Sequence, residues 1–205
     1  MAAQRSRIPY EQLRHHIPEN AWLLLWPLLQ RYPLSITLWN HRQSKFGDYK
    51  APQRDGIHHI SLNKSQNQFA FLITTIHELA HMEVQERYGR YKQPHGREWK
   101  RVFQQMMNPF LAAGCFPEEL ARQLVRHMTN PKATTSSDPC LMKVLSDYDE
   151  IKGVMLEEVP ENAIFRMENG MVFRKGSRLR SRFNCFRVDN ERLYYVPALI
   201  RVEPL

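Results

Sequence analysis

The sequence predicts an α+β protein in two parts, a helix-rich N-terminal region and a small antiparallel β unit at the C-terminus. Three observations carry that prediction. The apolar run FAFLITTIHELAHMEVQ, residues 69–85, repeats at helical spacing. Two short stretches rich in strand formers, SITLWN and GIHHISLN, stand before it. Beyond residue 153 the apolar residues alternate in runs separated by turn dipeptides, which is a strand pattern.

The 205 residues suffice for one domain with a small appendage, and 42% hydrophobic with 24% charged residues is an ordinary globular balance that excludes a disordered chain. Lys and Arg number 29 against 21 Asp and Glu, a net charge of +8 that favours polyanionic partners. Cys115, Cys140 and Cys185 are odd in number and widely spaced, without a CxxC pair, which fits a reducing cytoplasm better than a disulfide framework. The early apolar stretch AWLLLWPLLQ is broken by Pro27 and too short for a bilayer, so neither a signal peptide nor a membrane span is expected.

The elements follow in order. After a basic N-terminal arm, Asn20 is placed to cap a helix carrying Trp22, Leu23, Trp26 and Leu29. SITLWN, residues 35–40, reads as a strand. SKFGDYKAP reads as a loop from its Gly, Asp and Pro content, and GIHHISLN, residues 56–63, as a second strand. A helix spans Asn67 to about Tyr88, another begins at HGREWKRVFQQMM, and a third covers residues 117–128 with Pro117 and two glutamates in its first turn. The first domain is therefore 1–128. Residues 129–153, polar and broken by prolines, read as a linker with a short helical piece. Residues 154–205 form the β unit, with hairpins at Asn169-Gly170 and Asp189-Asn190.

Within the long helix, His77 and His81 lie four residues apart, about one turn, so both imidazoles point to one side, with Glu78 beside them. The helix buries one side and shows the other on this pattern. HExxH is the arrangement in which two imidazoles bind zinc and the carboxylate serves as general base. The plainer alternative is a helix that carries histidines without a metal. A catalytic site needs a third ligand. Val84 and Arg87 stand where a metzincin has Gly and His, which excludes that class. His95 is the preferred third ligand because Gly89 and Pro94 let the chain turn back, and Glu98 is its competitor.

HELAH followed by HGREWK, together with the KFGDYKAP loop and the HHISLN strand in that order, resembles the SprT-like metalloproteases, the group that includes the Spartan proteases of DNA–protein crosslink repair. The resemblance covers residues 10–128. It implies a zincin-like fold with the HExxH helix beside a small sheet, one Zn²⁺ held by His77, His81 and His95, and Glu78 as general base. It also implies an edge strand at 57–62 for an extended substrate, protein substrates bound or crosslinked to DNA, and DNA as partner, single-stranded or at a junction. Many members end in a cysteine-ligated zinc ribbon; here the tail holds only Cys185, so no second metal site carries over.

In the tail, Arg174, Lys175, Arg178, Arg180 and Arg182, interleaved with Phe165, Phe173, Phe183 and Phe186, suit phosphates and unstacked bases. The alternative is that the phenylalanines form a small core and the cations keep it soluble. Tyr49 and Tyr91 are candidate oxyanion donors; His58 and His59 read as ordinary strand residues, and Trp99 as packing. The expected function is a cytoplasmic zinc-dependent endopeptidase. Its rivals are a non-catalytic nucleic-acid-binding protein with a structural or vestigial metal site, and a peptidase with no link to DNA.

Overall fold

The structure is a computed structural model that describes residues 5–40, 46–90, 92–134, 137–149 and 153–205. It is mixed α and β, and the chain divides into two compact units, Met1–Tyr148 and Asp149–Leu205.

Unit 1 contains β1 (Arg5–Ile8), a 3₁₀ helix over Tyr10–His16, α1 (Trp22–Leu29), β2 (Leu34–Trp39), β3 (Gly47–Lys50), β4 (His58–Asn63), α2 (Gln68–Tyr88), α3 (Arg97–Ala112), α4 (Glu118–Met128) and α5 (Pro139–Ser146). The sheet order is β1-β2-β4-β3. β2 and β4 run parallel, and the two outer pairs are antiparallel. The strand expected at the edge, residues 57–62, is thus an interior strand. Its neighbour β3, expected as loop, takes the edge instead, because Gly47 to Lys50 pair with Leu62 to His59. Part of the basic N-terminal arm also joins the sheet as β1.

The Asn67 carboxamide caps α2: its oxygen accepts from the amides of Phe69 and Ala70, and its nitrogen donates to the Leu145 carbonyl at 2.9 Å. Gly89, at φ 75°, ends the helix in a conformation that glycine adopts without strain. Thirteen of its 21 residues are buried, among them Phe71, Leu72, Ile76 and Leu79 but also Glu78 and Glu83. α2 is therefore a central helix and not the one-sided helix its apolar spacing suggests. Glu83 is paired at this depth, receiving Arg31 Nη1 at 3.0 Å and Arg87 Nε at 2.6 Å.

Two further expectations are corrected. Asn20 does not cap α1; its side chain donates to the Gly114 carbonyl at 3.2 Å, and a 3₁₀ turn over Glu19–Ala21 leads into the helix. The described part of the expected linker up to residue 148, residues 129–134 and 137–148, belongs to unit 1. Leu141 and Leu145 of α5 enter the core of unit 1, and Asp138, which caps α5, also accepts from His127 Nδ1 at 2.9 Å.

Unit 2 is an antiparallel sheet in the order β5-β10-β6-β7-β8-β9, built from β5 (Val154–Met155), β6 (Ile164–Arg166), β7 (Val172–Arg178), β8 (Arg182–Arg187), β9 (Leu193–Pro197) and β10 (Arg201–Pro204). Asn169-Gly170 closes the β6–β7 hairpin with Gly170 at φ 79°. Phe165, Phe173 and Phe183 are buried with Cys185, Val196 and Val202. Among the described residues no helix is long and apolar enough to cross a membrane.

Candidate metal centre

His77 and His81 come from successive turns of α2, and His95 comes from the bend between α2 and α3. The bend delivers its ring at a backbone cost: His95 sits at φ 58°, the left-handed region that few side chains adopt, and such strain concentrates where surroundings demand it. Gly96 follows as the N-cap of α3; a Cβ there would lie 2.9 Å from the Gln93 carbonyl oxygen, so the tight bend needs glycine.

The three Nε2 atoms converge, at 3.0 Å from His77 to His95, 3.0 Å from His81 to His95 and 3.3 Å from His77 to His81. Burial holds all three imidazoles in the neutral form. It drives His77 well below its ordinary range with help from His81 and His95, brings His81 down to about 4, and lowers His95. A neutral imidazole offers one N–H and one lone pair, so three nitrogens aimed at one point are poorly served by each other. A tetrahedral ion at the usual zinc–nitrogen distance places its ligand atoms about 3.3 Å apart, close to the observed triangle. The donor set therefore fits a zinc ion, and these three are the residues that gather into a candidate metal group among the described residues. Glu98, the competing ligand, is instead bound by Lys92 at 2.9 Å.

Glu78 lies beside this triangle, 6% exposed, under the start of the edge strand. A Cβ on Gly47 would stand 2.5 Å from Glu78 Oε1 and 2.7 Å from Thr74 Cγ2. Glycine is what lets β3 pass directly over the carboxylate, a requirement hidden while the segment reads as a loop.

Two aromatic walls orient the histidines. Trp99, 1% exposed, packs on all three rings, with centroids 4.6 Å from His77, 5.4 Å from His81 and 4.7 Å from His95. The expected packing residue is thus a wall of the site. Its Nε1 is buried with no hydrogen-bond partner, the one such side-chain atom among the described residues. Tyr49, on β3, stacks on His81 at 6.2 Å and 8°.

Tyr49 is also joined to His58 and Glu86. His58, 2% exposed, is no ordinary strand residue: its Nε2 lies 3.1 Å from Glu86 Oε1 and its Nδ1 2.9 Å from the Tyr49 hydroxyl. Burial lowers the His58 pKa, partly offset by Glu86, so the ring is neutral and gives its one N–H to the carboxylate. Nδ1 then accepts from Tyr49, whose phenol burial holds well above its ordinary pKa. On this tautomer the hydroxyl proton is engaged by His58. His59 bonds Asp55 at the surface, and Tyr91 lies outside the described residues.

The cations expected to meet nucleic acid are scattered in unit 2. Lys175 is buried, its ammonium donating to the carbonyls of Val159 and Glu157, so it belongs to the interior. Arg174 is paired with Glu191 at 2.9 Å and Arg178 with Glu157 at 3.5 Å. Arg180 and Arg182 are exposed and carry no ion pair among the described residues. Three of the four interleaved phenylalanines are core, as the plainer alternative has it; Phe186 remains half-buried, with Arg174 over its ring.

Residues 29–123 match the model of the SprT-like family, from the end of α1 into α4 and across every histidine of the triangle. This segment is an SprT-like domain. The family is generally associated with zinc-dependent metalloprotease activity, and the match stops short of α5 and of all of unit 2. No curated protein and no solved structure gives a significant match to the chain.

Proposed function

We propose that the SprT-like domain is a zincin-like, zinc-dependent endopeptidase acting on proteins bound or crosslinked to DNA. The observation that supports it most is the convergence of three neutral imidazole nitrogens beside the buried carboxylate of Glu78. His77, His81 and His95 would hold one zinc ion, which when bound supplies Lewis acidity and makes water a nucleophile at neutral pH.

Glu78 takes the proton of the attacking water and passes it to the leaving amine. Trp99 and Tyr49 fix the plane of His81, while Gly47 keeps the approach to Glu78 free of side chain. β3, at the edge of the sheet, offers backbone donors and acceptors to an extended peptide, so a substrate is read by its main chain more than by its side chains. A non-catalytic nucleic-acid-binding protein would have no use for a carboxylate at position 78, which disfavours that alternative. The link to DNA rests on the family resemblance and on the unpaired Arg180 and Arg182, and the free cysteines suit a cytoplasmic setting.

The test is incubation of the purified protein with a DNA-binding protein, with and without single-stranded DNA, a chelator and added zinc. Fragments that vanish with chelator, return with zinc and increase with DNA are expected. Cleavage indifferent to the chelator would overturn the metallopeptidase, and cleavage indifferent to DNA would remove the DNA link alone.

A further inference from the structure

The positive charge of the chain is distributed unevenly. Residues 149–205 hold ten Lys and Arg against nine Asp and Glu, leaving 19 against 12 in residues 1–148. Part of that excess gathers at the candidate metal centre. A cleft of about 670 Å³ runs along the first two turns of α3, walled by Gln93, His95, Arg97, Lys100, Arg101 and Gln104. Positions 97, 100, 101 and 104 share one face of the helix, and the opposite face buries Trp99, Val102, Phe103, Met107 and Phe110.

The cations of this cleft lack the ion pairs that four arginines of unit 2 make. Arg97 and Arg101 are exposed and carry no ion pair among the described residues. Lys100 donates to Asn130 Oδ1 at 2.6 Å, a neutral acceptor that leaves its charge uncompensated. The nearby carboxylate, Glu98, is bound by Lys92 and attracts Arg97 only at longer range, without an ion pair. The α3 N-terminus, with no side-chain cap, adds its partial positive charge to the same space.

We propose that this cleft is a subsite for an acidic segment of the polypeptide substrate, with Arg97 and Arg101 reading its carboxylates. The proposal rests on the endopeptidase reading. Guanidinium groups pair with carboxylates through two parallel hydrogen bonds, which gives direction as well as attraction. The cleft volume is of the size that takes a few residues of chain. A polypeptide is favoured over a nucleic-acid strand because His95 forms one wall: whatever fills the cleft lies against the metal centre, the place of the chain to be cut. A phosphate backbone laid there would cover the centre. Specificity then has two sources, with β3 reading backbone and α3 reading charge.

The test uses the full chain carrying Glu78→Gln, loaded with zinc, and two fluorescein-labelled peptides that differ only in Asp and Glu against Asn and Gln. Binding is read by anisotropy, with zinc content and melting temperature confirming an intact protein. The acidic peptide is expected to bind about tenfold or more tightly than its neutral twin, a difference of about 1.4 kcal/mol. Arg97→Glu with Arg101→Glu is expected to abolish or invert that preference. Equal binding of the two peptides overturns the proposal, as does a preference that survives the charge reversal. A labelled oligothymidylate whose binding depends on Arg97 and Arg101 while the peptides bind alike would assign the cleft to nucleic acid instead. Failure of the wild-type protein to cut either peptide would strike the endopeptidase reading, because the binding preference is measured without turnover.

Discussion

Two dense clusters stand out along this chain, three histidines in residues 77–95 and seven cations in residues 166–187, and folding treats them in opposite ways. The histidines converge to 3.0–3.3 Å. The cations disperse: one is buried, and Arg166, Arg174, Arg178 and Arg187 each face an acid. The difference lies in what each cluster encodes. An i,i+4 pair on a helix is a statement about direction, which the helix preserves. A count of charges in a window is a statement about density, and it omits the acids that other strands bring alongside. Glu157, Asp189, Glu191 and Glu203 all lie outside the arginine-rich core of the tail or at its end, and together they pair with four of its seven cations.

That contrast orders the expected effects of mutation. His95→Ala should be the most damaging, removing zinc and cleavage together and lowering the melting temperature, because metal binding contributes to folding. Zinc analysis and calorimetry on the purified variant check it, and full zinc occupancy would place the third ligand elsewhere. Gly47→Ala should leave zinc in place and cut kcat/KM by about 10²-fold, since a methyl 2.5 Å from Glu78 Oε1 must displace the strand or the carboxylate. Unchanged kinetics would mean that β3 does not define the approach to Glu78.

Smaller effects compare the ion pairs of the two units. Glu83→Gln removes a buried carboxylate from two arginines and should cost about 1–3 kcal/mol by denaturant titration, with cleavage retained below the melting range. Glu191→Gln, at an exposed pair, should cost under about 1 kcal/mol. If the two cost the same, burial does not separate them. The smallest effect is expected from Arg180→Gln with Arg182→Gln. If these two cations meet phosphates, the log-log salt dependence of single-stranded DNA binding should lose about 1.4 of its slope, roughly 0.7 for each contact. No change in slope would remove unit 2 from the DNA reading.

What was legible in the sequence follows the same physical division. The bounds of α2 are readable because Asn67 and Gly89 mark its ends by local chemistry, and the Asn169-Gly170 hairpin is readable because that dipeptide selects its turn. His77, Glu78 and His81 share one helix and needed no tertiary information. His95 is legible only as a candidate, since its convergence depends on a left-handed residue and a reversal of the chain. β3 is hidden because four residues, GDYK, carry a loop composition, and with it went the edge position, the close pass over Glu78 and the Tyr49–His58–Glu86 chain. α5 is hidden for a related reason: the prolines around it resemble a linker, although Leu141 and Leu145 fill the core.

The claim on which the rest depends is that His77, His81 and His95 hold one zinc ion for which Glu78 serves as general base. Glu78→Gln keeps the size of the side chain and removes the proton acceptor. Zinc stoichiometry and proteolysis should therefore be measured side by side on the wild-type and variant proteins. The account predicts one zinc per chain in both, with cleavage in the variant lower by about 10² to 10⁴-fold. Undiminished cleavage by the variant, or a wild-type protein that cuts without zinc, would contradict it.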